Sequence, residues 1–240
     1  MSSERVGSSE RRGDWFQTAT GKQFWPLDPH PDEVCIEDIA HHLANQCRFA
    51  GACRAFYSVA QHSVLVSCAV PPEDQKWGLL HDAAEAYLQD LIRPIKAASA
   101  LGEEYRKIED IVLRAVCERF GLPVEEPHSV KVADVRVLLA EKRDLTLPAP
   151  APWGFGQRAF EVEPVEEVIV PWSPREAHWK FLERFSELFD GKDWAEDIVQ
   201  GVIEQTRPLR ALPVERVFRL APPTVFEVSQ RHEREGQPPL

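Results

Sequence analysis

The sequence predicts a predominantly helical domain with a small N-terminal β element and a C-terminal appendage, and three observations lead there. Apolar residues recur at helical spacing in segment after segment from Ile36 onward. Proline and glycine punctuate the ends of those segments. The one early departure is Trp15 to Pro29 (WFQTATGKQFWPLDP), where short stretches rich in Thr and aromatics flank Thr20-Gly21-Lys22 as they would in a hairpin.

Taken in order, residues 1–14 (MSSERVGSSERRGD) read as a disordered polar tail without the apolar core of a secretory signal. CIEDIAHHLANQCRF places Ile36, Ile39, Leu43 and Cys47 on one helical face, and the Gly51 region ends it. A second helix starts near Ser58 and runs to Pro71-Pro72. A third begins near Glu73, carries WGLLHDAAEAYL and stops before Pro94, because proline disfavours continuation. EEYRKIEDIVLRAVCERFGL is the clearest amphipathic segment, with Gly121 and Pro123 as exits. Ser129 to Leu145 forms a fifth helix, and Thr146 to Pro174 an irregular connection. Ser173-Pro174 opens SPREAHWKFLERFSELF as N-cap and first turn. A short helix over Trp194 to Gln205 and two alternating segments (VERVFRL, TVFEV) complete the chain. The organisation is therefore a tail (1–14), a helical domain (15–190) and an appendage (191–240).

Composition narrows the class. The chain has 240 residues, 43% hydrophobic and 28% charged, as expected of an ordinary globular protein rather than a disordered or fibrous one. No apolar run reaches the roughly 18 residues of a membrane helix. Five cysteines without a C-x-x-C pair argue for free thiols in a reducing cytoplasm, not a disulfide framework or Cys-based zinc site. A formal charge of −11 argues against nucleic-acid polymers and anionic membranes as partners, and leaves small anionic ligands open.

The chemistry is concentrated in a few ionisable residues set among apolar ones. His81-Asp82 lies inside WGLLHDAAEAYL, where a charge is expensive to bury unless it is paired or bound to a metal. Glu85 follows at helical spacing, so that His81, Asp82 and Glu85 line one sector. His62 sits among Val59, Val64 and Leu65, and Asp134 between Val132 and Val135. Two imidazoles and two carboxylates from three helices make a mixed N/O set suited to a divalent first-row metal: Mn, Fe, Co, Ni or Zn.

The order His62, His81-Asp82, Asp134 resembles the HD-domain metal-dependent phosphohydrolases. C-R-F at Cys47–Phe49, Y-S-V-A-Q-H at Tyr57–His62, H-D-A-A-E-A-Y at His81–Tyr87 and D-L-I-R-P-I-K at Asp90–Lys96 resemble, within them, bacterial and prophage-encoded 5′-deoxynucleotidases. D-x6-E-K-R-D-L at Asp134–Leu145 and A-H-W-x-F-L-E-R-F at Ala177–Phe185 extend the similarity, which runs from about Gly21 to Leu188.

The resemblance implies an all-α HD-domain bundle with His62, His81, Asp82 and Asp134 as ligands of one divalent transition metal. It implies Glu85 and Asp90 as the carboxylates that handle the water or leaving-group proton, Arg48 as a phosphate contact, and Lys96 as a second cation near the phosphate. Phe49 falls where close relatives carry an aromatic beside the sugar. The implied reaction is hydrolysis of a (deoxy)nucleoside 5′-monophosphate to nucleoside and phosphate, by a cytoplasmic protein that forms a homo-oligomer.

Blander readings stand beside these. Asp134 could cap a helix or pair with Lys131, and Glu85 could be a solvated face charge. Glu141 reads as structural. Tandem His41-His42 point about 100° apart on a helix and read as non-catalytic; His30, His128, His178 and His232 have no evident acidic company. Ala86, where alarmone hydrolases carry an acid, and the absence of G-Y-P separate the chain from two other HD branches. A dNTP triphosphohydrolase on the same scaffold, with Arg54, Arg93 and Arg143 as extra cations, and a nucleotide-binding module without turnover remain the alternatives.

Overall fold

The computed structural model describes residues 11–153 and 162–189. The helix expected at Trp194 to Gln205, the alternating segments after it and the appendage as a whole lie outside the described residues. Among those described, a two-stranded hairpin, β1 (Phe16–Gln17) and β2 (Gln23–Phe24), precedes eight helices. These are α1 (Ile36–Asn45), α2 (Val59–Ala69), α3 (Gln75–Leu80), α4 (Glu85–Leu88), α5 (Arg93–Ala98), α6 (Ala100–Phe120), α7 (His128–Leu145) and α8 (Pro174–Leu188).

The hairpin is antiparallel, with Phe16 opposite Phe24 and Gln17 opposite Gln23. It is fastened to the helices by stacking and by a buried acid. Phe24 stacks on Tyr87 of α4 with ring centroids 3.9 Å apart, and Asp38 of α1 accepts hydrogen bonds from Thr20 N (2.7 Å) and Thr20 Oγ1 (2.9 Å). Arg11, assigned to the tail from sequence, is tied down. Its guanidinium reaches Asp28 and Glu33, each at 2.7 Å, and lies 4.3 Å from the Trp25 ring centroid. Two carboxylates and an aromatic face hold this residue.

Helix α2 is the centre of the domain, packed on α1, α3, α7 and α8. Ser58 caps it by accepting from Gln61 N at 3.1 Å. A helix surrounded in this way must be apolar or internally satisfied on every side. Val59, Ala60, Val64 and Val66 supply the apolar part. Ser63 Oγ donates to Val59 O, Ser67 Oγ to Gln75 O, and Gln61 binds both Val170 O and Trp172 N. That last pair clamps the irregular segment before α8 onto α2. One apolar cluster unites α1, α2, α6 and α8 around Phe181 and Phe185; a second joins α2, α3 and α7 with Val165 and Ile169.

Two expectations need correction. The third helix is not continuous: between α3 and α4 the backbone tightens to i→i−3 bonds, with Ala83 N to Leu80 O, Glu85 N to Asp82 O and Ala86 N to Ala83 O. The His81-Asp82 pair therefore sits on a tightened turn. The segment does end before Pro94, at Leu88, but Pro94 opens a helix the sequence reading did not include: it occupies the first turn of α5, where its missing N–H has no bond to lose.

Candidate metal centre

Two helices, α2 and α7, and the tightened turn after α3 bring the predicted ligands together. Helix α3 approaches α2 so closely that a Cβ on Gly78 would lie 3.0 Å from Ser67 Cα, so glycine is what lets the two axes meet. One turn beyond Gly78, the His81 ring reaches His62, with the two Nε2 atoms 3.3 Å apart. Asp82 Oδ2 lies 3.2 Å from His81 Nε2 and 3.8 Å from His62 Nε2. Asp134 of α7 brings Oδ1 within 3.1 Å of His62 Nε2. Donor atoms of His62, His81 and Asp82 all fall within 4.8 Å of one another and could hold a metal ion.

The orientation of both imidazoles is set from behind. His62, fully buried, donates Nδ1–H to Glu141 Oε1 at 2.7 Å, and His81 donates Nδ1–H to Gly78 O at 2.8 Å. With both Nδ1 atoms committed, both Nε2 lone pairs face one point, next to two carboxylates. A chain of partners behind each ring is what metal-ligating histidines ordinarily have. Two imidazoles and a carboxylate are donors that could hold a metal ion.

Electrostatics agree with a site short of positive charge. Burial works against ionised Asp82, yet His81, His62 and Arg48 hold its carboxyl well below the usual range. Burial likewise opposes charge on His81, but Asp82 and Asp134 lift its pKa to about 9.

The remaining predicted residues form the rim. Glu85 is buried, and burial raises its pKa well above the ordinary value, with the Asp82 and Asp90 charges adding to the effect. Asp90 is raised by desolvation, against the pull of Lys96 and with the push of Asp82. Lys96 does not stand open: its ammonium pairs with Glu109 at 2.6 Å. Arg48 Nη1 lies 3.6 Å from Asp82 Oδ2, and Nη2 is 3.1 Å from Glu141 Oε2. Phe49 packs against Trp153, ring centroids 5.8 Å apart, and under the Arg48 guanidinium.

Phe49 and Ala50 have left-handed backbone conformations, with φ of 55° and 50°, and Gln89 has φ of 65°. Non-glycine residues there are strained by about 1–3 kcal/mol each, so the surroundings must enforce them. Around Phe49, Arg48 N bonds Tyr57 O at 2.9 Å and Ala52 N bonds Phe49 O at 3.0 Å. One strained stretch follows Arg48 and the other precedes Asp90.

Glu141, read from sequence as structural, has partners that the sequence did not name. It is fully buried and binds His62, Tyr57 Oη (2.8 Å) and Arg48 together. The signal was present: an acid seven residues after Asp134, two helical turns along the same face. His178 also departs from expectation. Its Nε2 lies 2.9 Å from Glu37 Oε1, both residues buried, as α8 packs on α1. Tandem His41-His42 are outside the cluster, as expected; His42 bridges Ala19 N and Ala86 O. Lys131 pairs with Glu126 at 3.7 Å rather than with Asp134. No helix among the described residues is long and apolar enough to cross a membrane.

Comparison with known proteins finds relatives in bacteria. The chain is 39% identical over 176 residues to an uncharacterized Escherichia coli K12 protein, YfdR, covering 72% of this chain and 95% of that one. It is 41% identical over 128 residues to an uncharacterized protein of Rhodobacter capsulatus, covering 50% of this chain and 64% of the other. No family model matches the chain.

Proposed function

The chain belongs to the family of the Escherichia coli protein YfdR, and from that premise and the site's geometry we propose that it is an HD-domain phosphohydrolase. It uses one divalent transition metal to hydrolyse a (deoxy)nucleoside 5′-monophosphate to nucleoside and phosphate. The observation that carries this reading is the pair of imidazoles with Nδ1 tied behind them and Nε2 atoms 3.3 Å apart, beside Asp82 and Asp134. His62, His81, Asp82 and Asp134 hold the ion. When bound, it supplies Lewis acidity toward a phosphoryl oxygen and acidifies water.

The chain's own groups do the rest. Arg48, next to Asp82, offers Nη1 of its guanidinium to the phosphate and offsets its charge, while Nη2 stays on Glu141. Lys96, though paired with Glu109, is a second cation on the same rim. Glu85 and Asp90 are two neighbouring acids whose pKa values burial raises, and they are the groups that hold and accept the proton in this reading. Phe49, strained and packed under Arg48, forms the wall beside the sugar.

The monophosphate is favoured over a triphosphate by the fate of one candidate cation. Arg143 is committed to Asp144 at 2.7 Å and to the carbonyls of Val165 and Glu167. The test is product analysis over a dNMP, dNTP and NTP panel with added Mn²⁺ or Co²⁺. Orthophosphate from monophosphates is expected. Tripolyphosphate from dNTPs would replace the substrate class, and no release from any would remove the enzyme reading.

A further inference from the structure

Glu141 lies behind the cluster and touches both halves of it. Its Oε1 accepts from His62 Nδ1 at 2.7 Å and from Tyr57 Oη at 2.8 Å, while Oε2 accepts from Arg48 Nη2 at 3.1 Å. The other arm of Arg48, Nη1, is 3.6 Å from Asp82 Oδ2, and that oxygen is 3.8 Å from His62 Nε2. These contacts close a ring: His62, Glu141, Arg48, Asp82 and back to His62. Glu141 is fully buried, and the Arg48 side chain is nearly so.

We propose that Glu141 is a positioning residue that couples cation binding at His62 and Asp82 to phosphate binding at Arg48. The inference rests on the metal-site reading above and extends it to a residue outside the ligand set.

The physical reason is competition for one oxygen. Arg48 and a cation both approach Asp82 Oδ2, and a buried guanidinium needs an anion close by. Glu141 supplies that anion on the far side, so Asp82 is left for the cation and Nη1 for an incoming phosphate. The same carboxylate fixes the His62 ring with Nδ1 protonated and Nε2 bare, the tautomer a cation requires.

Without the negative charge at position 141, Arg48 turns to Asp82 and the His62 ring loses its register. Cation binding then weakens, and a bound cation no longer readies Arg48 for phosphate. Coupling between two sites is reciprocal, so it can be read from either ligand.

The experiment measures Mn²⁺ binding, and inorganic phosphate binding with and without Mn²⁺, by calorimetry on the full chain. It compares wild type, Glu141→Gln and Tyr57→Phe, with circular dichroism as the check on folding. Glu141→Gln is expected to raise the Mn²⁺ Kd about 10–100-fold and to collapse the ratio of phosphate affinities with and without Mn²⁺ toward one. Tyr57→Phe removes a partner of Oε1 without touching His62 or Arg48, and is expected to keep both affinities. Equal losses in the two variants would make Glu141 a structural residue and overturn the inference.

Wild type binding no Mn²⁺ would overturn the metal-site reading itself. Wild type binding Mn²⁺ with Glu141→Gln binding it equally would overturn only the inference. Should Glu141→Gln not fold, 15N spectra of the histidines in zinc-loaded wild type decide. His62 protonated at Nδ1 supports the inference, and protonation at Nε2 ends it.

Discussion

Replacing Gly102 with alanine sets two effects of known size against each other. Gly102 lies in the first turn of α6, where its N–H donates to the Ser99 cap at 3.1 Å while Ser99 Oγ donates to Ile95 O at 2.7 Å. This corner folds the end of α5 back onto α6. A Cβ at position 102 would fall 2.3 Å from Lys96 O and 2.5 Å from Ile95 O, where ordinary contact begins at 3.4 Å. The clash is with main-chain atoms, so no rotamer relieves it, and α5 must retreat by about 1 Å, the distance missing from contact.

Overpacking of that kind costs about 1–3 kcal/mol. Alanine returns about 1 kcal/mol at most through helix propensity. The main-chain clash places the cost at the upper end, about 2–3 kcal/mol, so Gly102→Ala should destabilise the protein by about 1–2 kcal/mol in urea unfolding. Because α5 carries Lys96, phosphate release should fall by about 10–100-fold, the scale of a misplacement of about 1 Å. A variant as stable as wild type, or more so, would mean that propensity prevails and that α5 is not seated on α6 as described.

Three further outcomes follow from the site and the core. The raised Glu85 pKa means that its contribution to folding is present below the unfolded value near 4.5 and is lost as pH rises toward the folded value. Metal-free wild type should thus lose thermal stability from about pH 4.5 upward relative to Glu85→Gln, and parallel profiles would refute the assignment. On the proposed function, Asp82→Ala should retain the fold but lose nucleotide hydrolysis by about 100-fold or more, the scale of one preorganised electrostatic contact; unchanged turnover would remove Asp82 from the chemistry. Phe181, fully buried where α8 meets the core, should cost about 3–5 kcal/mol as Phe181→Ala in denaturant titration, and a loss below about 1 kcal/mol would contradict its place there.

What could be read from sequence, and what could not, follows from the physics of each signal. The hairpin and the helices declared themselves by period and punctuation, because burial imposes that period on one face. His62, His81, Asp82 and Asp134 stood out as ionisable groups in apolar company. Glu141 did not stand out, because an acid among Ala140, Lys142 and Arg143 looks like any solvated helix charge until its partners on α2 and at Arg48 are known. His178 was hidden for the same reason: Glu37 is remote in sequence and meets it only when α8 packs on α1. Pro94 signals a boundary but not which side of it is helical. The tightened turn at His81-Asp82 leaves no sequence mark, since each of its residues is compatible with an α-helix.

The proposed chemistry depends on one ion shared by side chains from α2, α7 and the turn after α3. Anomalous diffraction from crystals grown with Mn²⁺ tests this directly. A single peak within bonding distance of Nε2 of His62 and His81 and of the carboxylates of Asp82 and Asp134 is the expected result. A map with no peak there, or with its peak on other residues, would contradict it.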